Sequence, residues 1–259
     1  MSKKPNRYEI DEERPIVSHL LELRSRLLRV VIVVVVAFLA IYPFADHLYT
    51  WLSGPLRAAL PEGGQMIAIQ VASPFLIPMK LALMAAVFIT IPYILYQVWG
   101  FVAPGLYRHE RRLIWPLLFS STLLFYLGVA FAYFVVFPLV FTFFAAVTPS
   151  GVSMMTDIGE YLSFVIKLFF AFGAAFEVPV ATILLIRSGV TTREALSKKR
   201  PYVIVVAFIV GMLLTPPDMV SQILLALPVW LLFEIGLLLS GWFVKQGEDE
   251  DTAAPAEKY

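Results

Sequence analysis

The sequence contains no cysteine. That excludes disulfides, thiolate metal sites and cysteine nucleophiles, and leaves the redox compartment open. Charge is scarce too. Asp, Glu, Lys and Arg make up 15% of the chain and sum to a formal +1. So small a net charge gives no reason to expect nucleic acid as a partner. The three histidines, His19, His47 and His109, are scattered without metal-ligand spacing, and no metal or other cofactor is expected. No H-E-x-x-H, G-x-S-x-G or Walker A sequence occurs, and no Ser–His or paired-Asp arrangement falls inside the apolar runs. These absences argue against an enzyme, an intramembrane protease included. No cleavable leader is expected, because the first apolar run starts only near Leu27 and no small-x-small site follows it.

Apolar residues are abundant instead. They form 59% of the 259 residues and come in long unbroken runs, where a soluble domain is about half apolar and more evenly mixed. A helix needs about 20 apolar residues to cross roughly 30 Å of hydrocarbon. The runs predict spans at about 27–45, 75–99, 114–140, 160–186, 201–214 and 220–241. The expected fold is an all-α polytopic membrane protein of six kinked transmembrane helices in a bent bundle. Three parts are expected. Residues 1–26 form a cytoplasmic segment with a short amphipathic helix, 27–242 the membrane domain, and 243–259 an acidic disordered tail.

Orientation follows from Lys and Arg in the connections. Lys3, Lys4, Arg7, Arg14, Arg24 and Arg26 precede the first span. Arg108, Arg111 and Arg112 lie between the second and third, and Arg187, Arg193, Lys198, Lys199 and Arg200 between the fourth and fifth. The opposite connections hold only Arg57. Both termini are therefore expected inside. Pro78, Pro92, Pro138, Pro179 and Pro228 each remove a backbone hydrogen bond within a span and bend it. The fifth span, of about 14 residues, covers roughly 21 Å. The sixth, with a core of about 17 residues, also reads as short. Together they predict local bilayer thinning.

Five acids stand out. In Ser18-His19-Leu20-Leu21-Glu22-Leu23-Arg24-Ser25-Arg26, Ser18 reads as an N-cap and Glu22 as an i,i+4 partner of Arg26. In Tyr107-Arg108-His109-Glu110-Arg111-Arg112 the arginines read as a topological anchor. Glu110 is either their local partner or a carboxylate offered to an incoming cation. Two carboxylates near the inner surface can accept guanidinium groups through paired bonds. Glu177 falls about ten residues before Arg187, near the midplane, where an ionisable group is a functional candidate and equally a hydrogen-bonded link between helices. Glu234 is similar but nearer the cytoplasm. Asp218, after Pro216 and Pro217, reads as an N-cap of the sixth helix. Lys167 reads as a side chain reaching back to the outer interface.

With these residues in view, the chain resembles the TatC family of the twin-arginine protein translocase. The resemblance runs from about Val17 to Trp242. It is carried by SHLLELRSRL (18–27), VASPF (71–75), YQVWGFVAPGLYRHERR (96–112), FAYFVVFPL (131–139), FEVPV (176–180), KKRPY (198–202) and LLTPPD (213–218). It implies a twin-arginine signal-peptide receptor. It also implies the core of a translocase that exports folded proteins at the expense of the protonmotive force, in the bacterial inner membrane. Glu22 and Glu110 match the family's twin-arginine site, and Arg24 lies in the same motif. Pro55, Glu177 and Asp218 match its outer-loop proline, intramembrane glutamate and outer-turn aspartate. The partners implied are TatA and TatB proteins, twin-arginine signal peptides, membrane lipid and further copies of the same chain. The alternative is a small-solute secondary transporter, which also carries intramembrane carboxylates but usually shows internal repeats. No convincing repeat occurs here.

Overall fold

The computed structural model describes residues 14–54, 66–106, 114–148, 155–187, 189–214 and 219–253. It is all-α apart from one pair of two-residue strands among these residues. Five helical segments are long and apolar enough to cross a membrane: Ser18–Leu52, Ser73–Phe101, Trp115–Val147, Ile158–Arg187 and Gln222–Gly241. A sixth apolar helix, Arg200–Leu213, is shorter. The sixth expected span is thus not short. Its 20 apolar residues suffice for a bilayer, and the shortfall falls on the fifth alone.

Helix α1 spans Arg14–Ile41. It begins a turn before Ser18, so Ser18 lies inside the helix and is not its cap. Pro15 explains the early start, since a first-turn proline has its φ preset and needs no N–H there. A 3-10 turn, Tyr42–Phe44, leads into α2, Ala45–Leu52. Helix α3 is Ser73–Leu106. The next segment comprises α4, Ile114–Phe131, a π-helical stretch Ala132–Val136, and α5, Phe137–Val147. The π turn ends one residue before Pro138 enters the first turn of α5, which spares the chain an interior proline clash.

The fourth segment is broken rather than continuous. Helix α6, Ile158–Ala175, and α7, Val178–Arg187, are separated by Phe176 and Glu177. Pro179, at the second position of α7, cannot continue the upstream hydrogen-bond ladder. A short α8, Arg193–Lys198, is capped by Thr192, whose Oγ1 accepts the Ala195 N–H at 3.1 Å. The chain then forms α9, Arg200–Leu214, and α10, Met219–Ala253, with Pro228 in its interior. The backbone of α10 is helical through Ala253, past the point at 243 where the sequence predicts the acidic tail to start.

In hydrocarbon there is no hydrophobic drive between helices, so contact rests on close packing and internal hydrogen bonds. Glycines set the closest approach. A Cβ on Gly128 of α4 would collide with the Phe172 carbonyl oxygen of α6, and one on Gly173 of α6 would meet the Phe125 ring of α4. Around this crossing sit Leu81, Phe137, Val140, Val165, Leu168 and Phe172, all buried. An apolar cleft of about 330 Å³ opens beside them, bordered by Trp51, Met84, Phe88, Tyr126, Tyr133 and Phe169.

Hydrogen-bond acceptors left over by helix ends and prolines are taken up by tyrosines. Pro92 cannot donate to the carbonyl of Phe88, and the Tyr126 hydroxyl donates to that oxygen at 2.8 Å. At the end of α2, the Tyr161 hydroxyl donates to Leu52 O at 2.7 Å and the Tyr133 hydroxyl to Trp51 O at 3.3 Å. On the same side, Met66 pairs with Thr156 and Ile67 with Asp157 in a parallel bridge. Asp157 then caps α6 through Oδ1, which accepts from Glu160 N–H, while Oδ2 accepts from Ile69 N–H, each at 2.9 Å. These backbone donors, Ile69 first, hold its carboxyl below the usual aspartate range.

Candidate functional site

Glu22 lies on α1 before the apolar stretch and is half-buried. The sequence reading offered Arg26 as its partner, and the structure contains that pair. Arg26 Nε and Nη2 both donate to Glu22 Oε1, at 2.9 and 2.6 Å. The pair is not isolated, because Arg26 also reaches the inner end of α3. There Nη1 donates to Gln97 Oε1 at 3.2 Å and to Gln97 O at 3.4 Å, and Nη2 donates to Gly100 O at 3.0 Å. Gly100 makes room for this approach, since a Cβ there would stand 2.6 Å from Nη1. On the other flank, His19 Nδ1 lies 3.8 Å from Glu22 Oε2. The His19 ring stacks on Phe101 with centroids 4.0 Å apart.

Sequence reasoning missed Gln97, Gly100 and Phe101 as members of this cluster. The only local cue was a glycine inside an otherwise helical apolar run, which marks a close approach without naming what approaches. Arg24 is exposed on α1. Residues two apart on a helix do not share a face, so Arg24 is not the guanidinium on Glu22.

Glu177 occupies the break between α6 and α7. Its N–H donates to Ala174 O at 3.1 Å and its carbonyl accepts from Ala181 N–H at 2.9 Å. Both carboxyl oxygens are buried, and neither has a hydrogen-bond partner among the described residues. The buried Ser121 hydroxyl lies beside them and accepts from Trp99 Nε1 at 3.0 Å. Thr122 Oγ1 and Trp230 Nε1 are also buried without a partner among the described residues. Glu177 is thus part of a polar patch in an apolar interior, a costly arrangement that usually marks function.

Glu234 differs from Glu177. Its Oε1 and Oε2 accept from Arg200 Nε and Nη2 at 2.7 and 2.8 Å, a two-bond fork joining α10 to the start of α9. Lys167 is exposed on α6, in keeping with a side chain that reaches along the surface to a polar boundary. Glu110, Pro55 and Asp218 lie outside the described residues. The structure therefore brings Glu22 together with Arg26, Gln97, Gly100 and His19, and leaves Glu177 in a separate patch.

The family profile described as Sec-independent protein translocase protein (TatC) matches residues 18–228. The chain is 58% identical over 251 residues to the Sec-independent protein translocase protein TatC of Azotobacter chroococcum mcd 1, covering 97% of this chain and 98% of that protein. It is 56% identical over 242 residues to the protein of the same description from Escherichia coli (strain K12), covering 93% of this chain and 94% of that one. A crystal structure of the twin arginine translocase receptor TatC superposes with a TM-score of 0.79 at 38% identity, covering 86% of this chain and 98% of that one.

Proposed function

This chain belongs to the TatC family of Sec-independent protein translocase proteins, and from that premise we propose that Glu22 is the guanidinium-accepting acid of its signal-peptide receptor site. As a TatC protein it is a multi-pass component of the bacterial inner membrane, a receptor and core translocase subunit rather than an enzyme. Nothing among the relatives favours the small-solute transporter alternative.

One observation carries the proposal for Glu22. Its carboxylate already holds a guanidinium, that of Arg26, at charge-assisted distances. It does so at the end of α1 that precedes the apolar stretch, where the basic n-region of a signal peptide stops while its apolar part enters the membrane. Glu110 supplies the second acid, and exposed Arg24 supports the same site. Six spans with both termini inside place the acids on the side where precursors arrive, and the Lys and Arg asymmetry of the connections supports that orientation. Glu177 acts later, when the signal peptide inserts more deeply. Pro55 and Asp218 serve translocation from the outer side. TatA and TatB proteins, twin-arginine signal peptides of folded precursors, and further copies of this chain are the partners. The protonmotive force drives the export.

The test is peptide binding. Glu22→Ala and Glu110→Ala are each expected to weaken a twin-arginine peptide by about tenfold or more, the loss of a charged hydrogen-bonded partner. A matched twin-lysine peptide should change much less, because a compact ammonium never made the two-bond fork. Equal losses for both peptides would exclude the proposal.

A further inference from the structure

We propose that Arg26 is the specificity filter of this site: it occupies Glu22 in the empty receptor and admits only a side chain able to replace a two-bond guanidinium. The inference rests on the reading of Glu22 as a signal-peptide acid.

The filter follows from counting lone pairs. A carboxylate offers about four acceptor positions over its two oxygens. Arg26 Nε and Nη2 fill the two on Oε1. Oε2 remains, with His19 Nδ1 3.8 Å away. A parallel fork needs both oxygens, so an incoming arginine cannot form one until Arg26 lets go of Oε1. An arginine that displaces Arg26 restores both bonds. A lysine faces two poorer choices. It either replaces two directed bonds with one point contact, or it settles on Oε2 beside the positive charge of Arg26, against a carboxylate already largely neutralised.

Displacement also has somewhere to go. Arg26 keeps Gln97 Oε1, Gln97 O and Gly100 O as acceptors on α3 when Glu22 is taken from it. Its Nη2 is shared between Glu22 and Gly100 in the empty state. Giving up Glu22 therefore does not strand the guanidinium. The contact with Gly100 depends on the missing Cβ, so the resting place is built into the end of α3.

The experiment uses the full chain in nanodiscs and two fluorescent synthetic signal peptides that differ only in an Arg-Arg or Lys-Lys pair. The variants are Arg26→Gln, Arg26→Lys, Gly100→Ala and Glu22→Gln. Arg26→Gln is expected to tighten the Lys-Lys peptide by about tenfold, the scale of one released charge-assisted contact. It should tighten the Arg-Arg peptide less, so the preference shrinks. Arg26→Lys should restore part of that preference. Gly100→Ala, which pushes Arg26 from the α3 side without touching Glu22, should shift the preference in the same direction as Arg26→Gln. It decides the matter if Arg26→Gln does not fold. An unchanged preference, or an equal loss of both peptides, overturns the filter. Glu22→Gln separates the two ideas. If it leaves Arg-Arg binding intact, the receptor reading of Glu22 fails. If it weakens that binding while the Arg26 and Gly100 variants keep the preference, the filter alone fails.

Discussion

The Tyr161 hydroxyl donates a 2.7 Å hydrogen bond to the carbonyl oxygen of Leu52, and both residues are almost fully buried. The bond joins the last turn of α2 to the first turn of α6, which are far apart in the chain. Leu52 O has no partner further along its own helix, because α2 ends there. Tyr161→Phe removes the donor and leaves the acceptor dry. The expected cost is about 1–2 kcal/mol of stability. A lowered thermal unfolding midpoint of the purified protein in detergent, with no change in twin-arginine peptide binding, is the outcome to look for.

Glu177 invites a substitution with two opposite readouts. Its carboxyl oxygens are buried without partners, so an apolar side chain of similar size should relieve a cost of about 1–3 kcal/mol. Glu177→Leu is therefore expected to raise the unfolding midpoint and to reduce export of a folded reporter. Glu177→Gln should also reduce export. If Glu177→Gln leaves both insertion-dependent crosslinking and export intact, its assignment to the deeper stage is wrong.

Asp157 gives a pH dependence whose direction is fixed by its partners. Two backbone N–H groups stabilise its charged form and hold its pKa down in the folded protein. Its stabilising effect is thus complete above the unfolded value and is lost as pH falls through the lower folded one. The tie between Ile69 and α6 should hold at pH 5 and weaken below about pH 4, the ordinary aspartate range. Hydrogen exchange at the Ile69 amide, corrected for the intrinsic rate, reads this directly. Asp157→Ala should abolish the protection at both pH values, and Asp157→Asn should keep one bond of the two.

Helix α9 has 15 residues, so its length is about 22 Å, against roughly 30 Å of hydrocarbon. The bilayer beside it is expected to thin. Lipid phosphate layers seen by cryo-EM in nanodiscs should lie closer together next to α9 than next to α3. Equal spacing at the two places rules the thinning out.

The spans, the charge asymmetry and the Glu22–Arg26 pair were legible because each is a local pattern. Apolar run length reports a crossing, and a spacing of four reports a shared helix face. The partners that complete the site were not legible, because Gln97 and Gly100 are 71 and 74 residues from Arg26. Pro179 signalled a disturbance in the fourth span, yet it gave no sign that Glu177 would sit in the gap with both oxygens unmet. Pro92 likewise announced a freed carbonyl but could not say that Tyr126 would take it. The length of the sixth span was underestimated because Pro228 and Glu234 punctuate the apolar run. The helix passes through the first with a bend and pairs the second with Arg200.

The π-helical stretch Ala132–Val136 makes this chain intolerant of a change in length at one place. A π turn carries an extra residue relative to an α-helix. Deleting one residue there would let the backbone return to ordinary α geometry with no broken hydrogen bond. The same deletion would turn everything downstream by about 100°, one residue's share of a 3.6-residue turn. Phe137, Val140 and Phe141, now packed against α6, would then face lipid. The local backbone would lose nothing, and the bundle would lose the side chains at its centre.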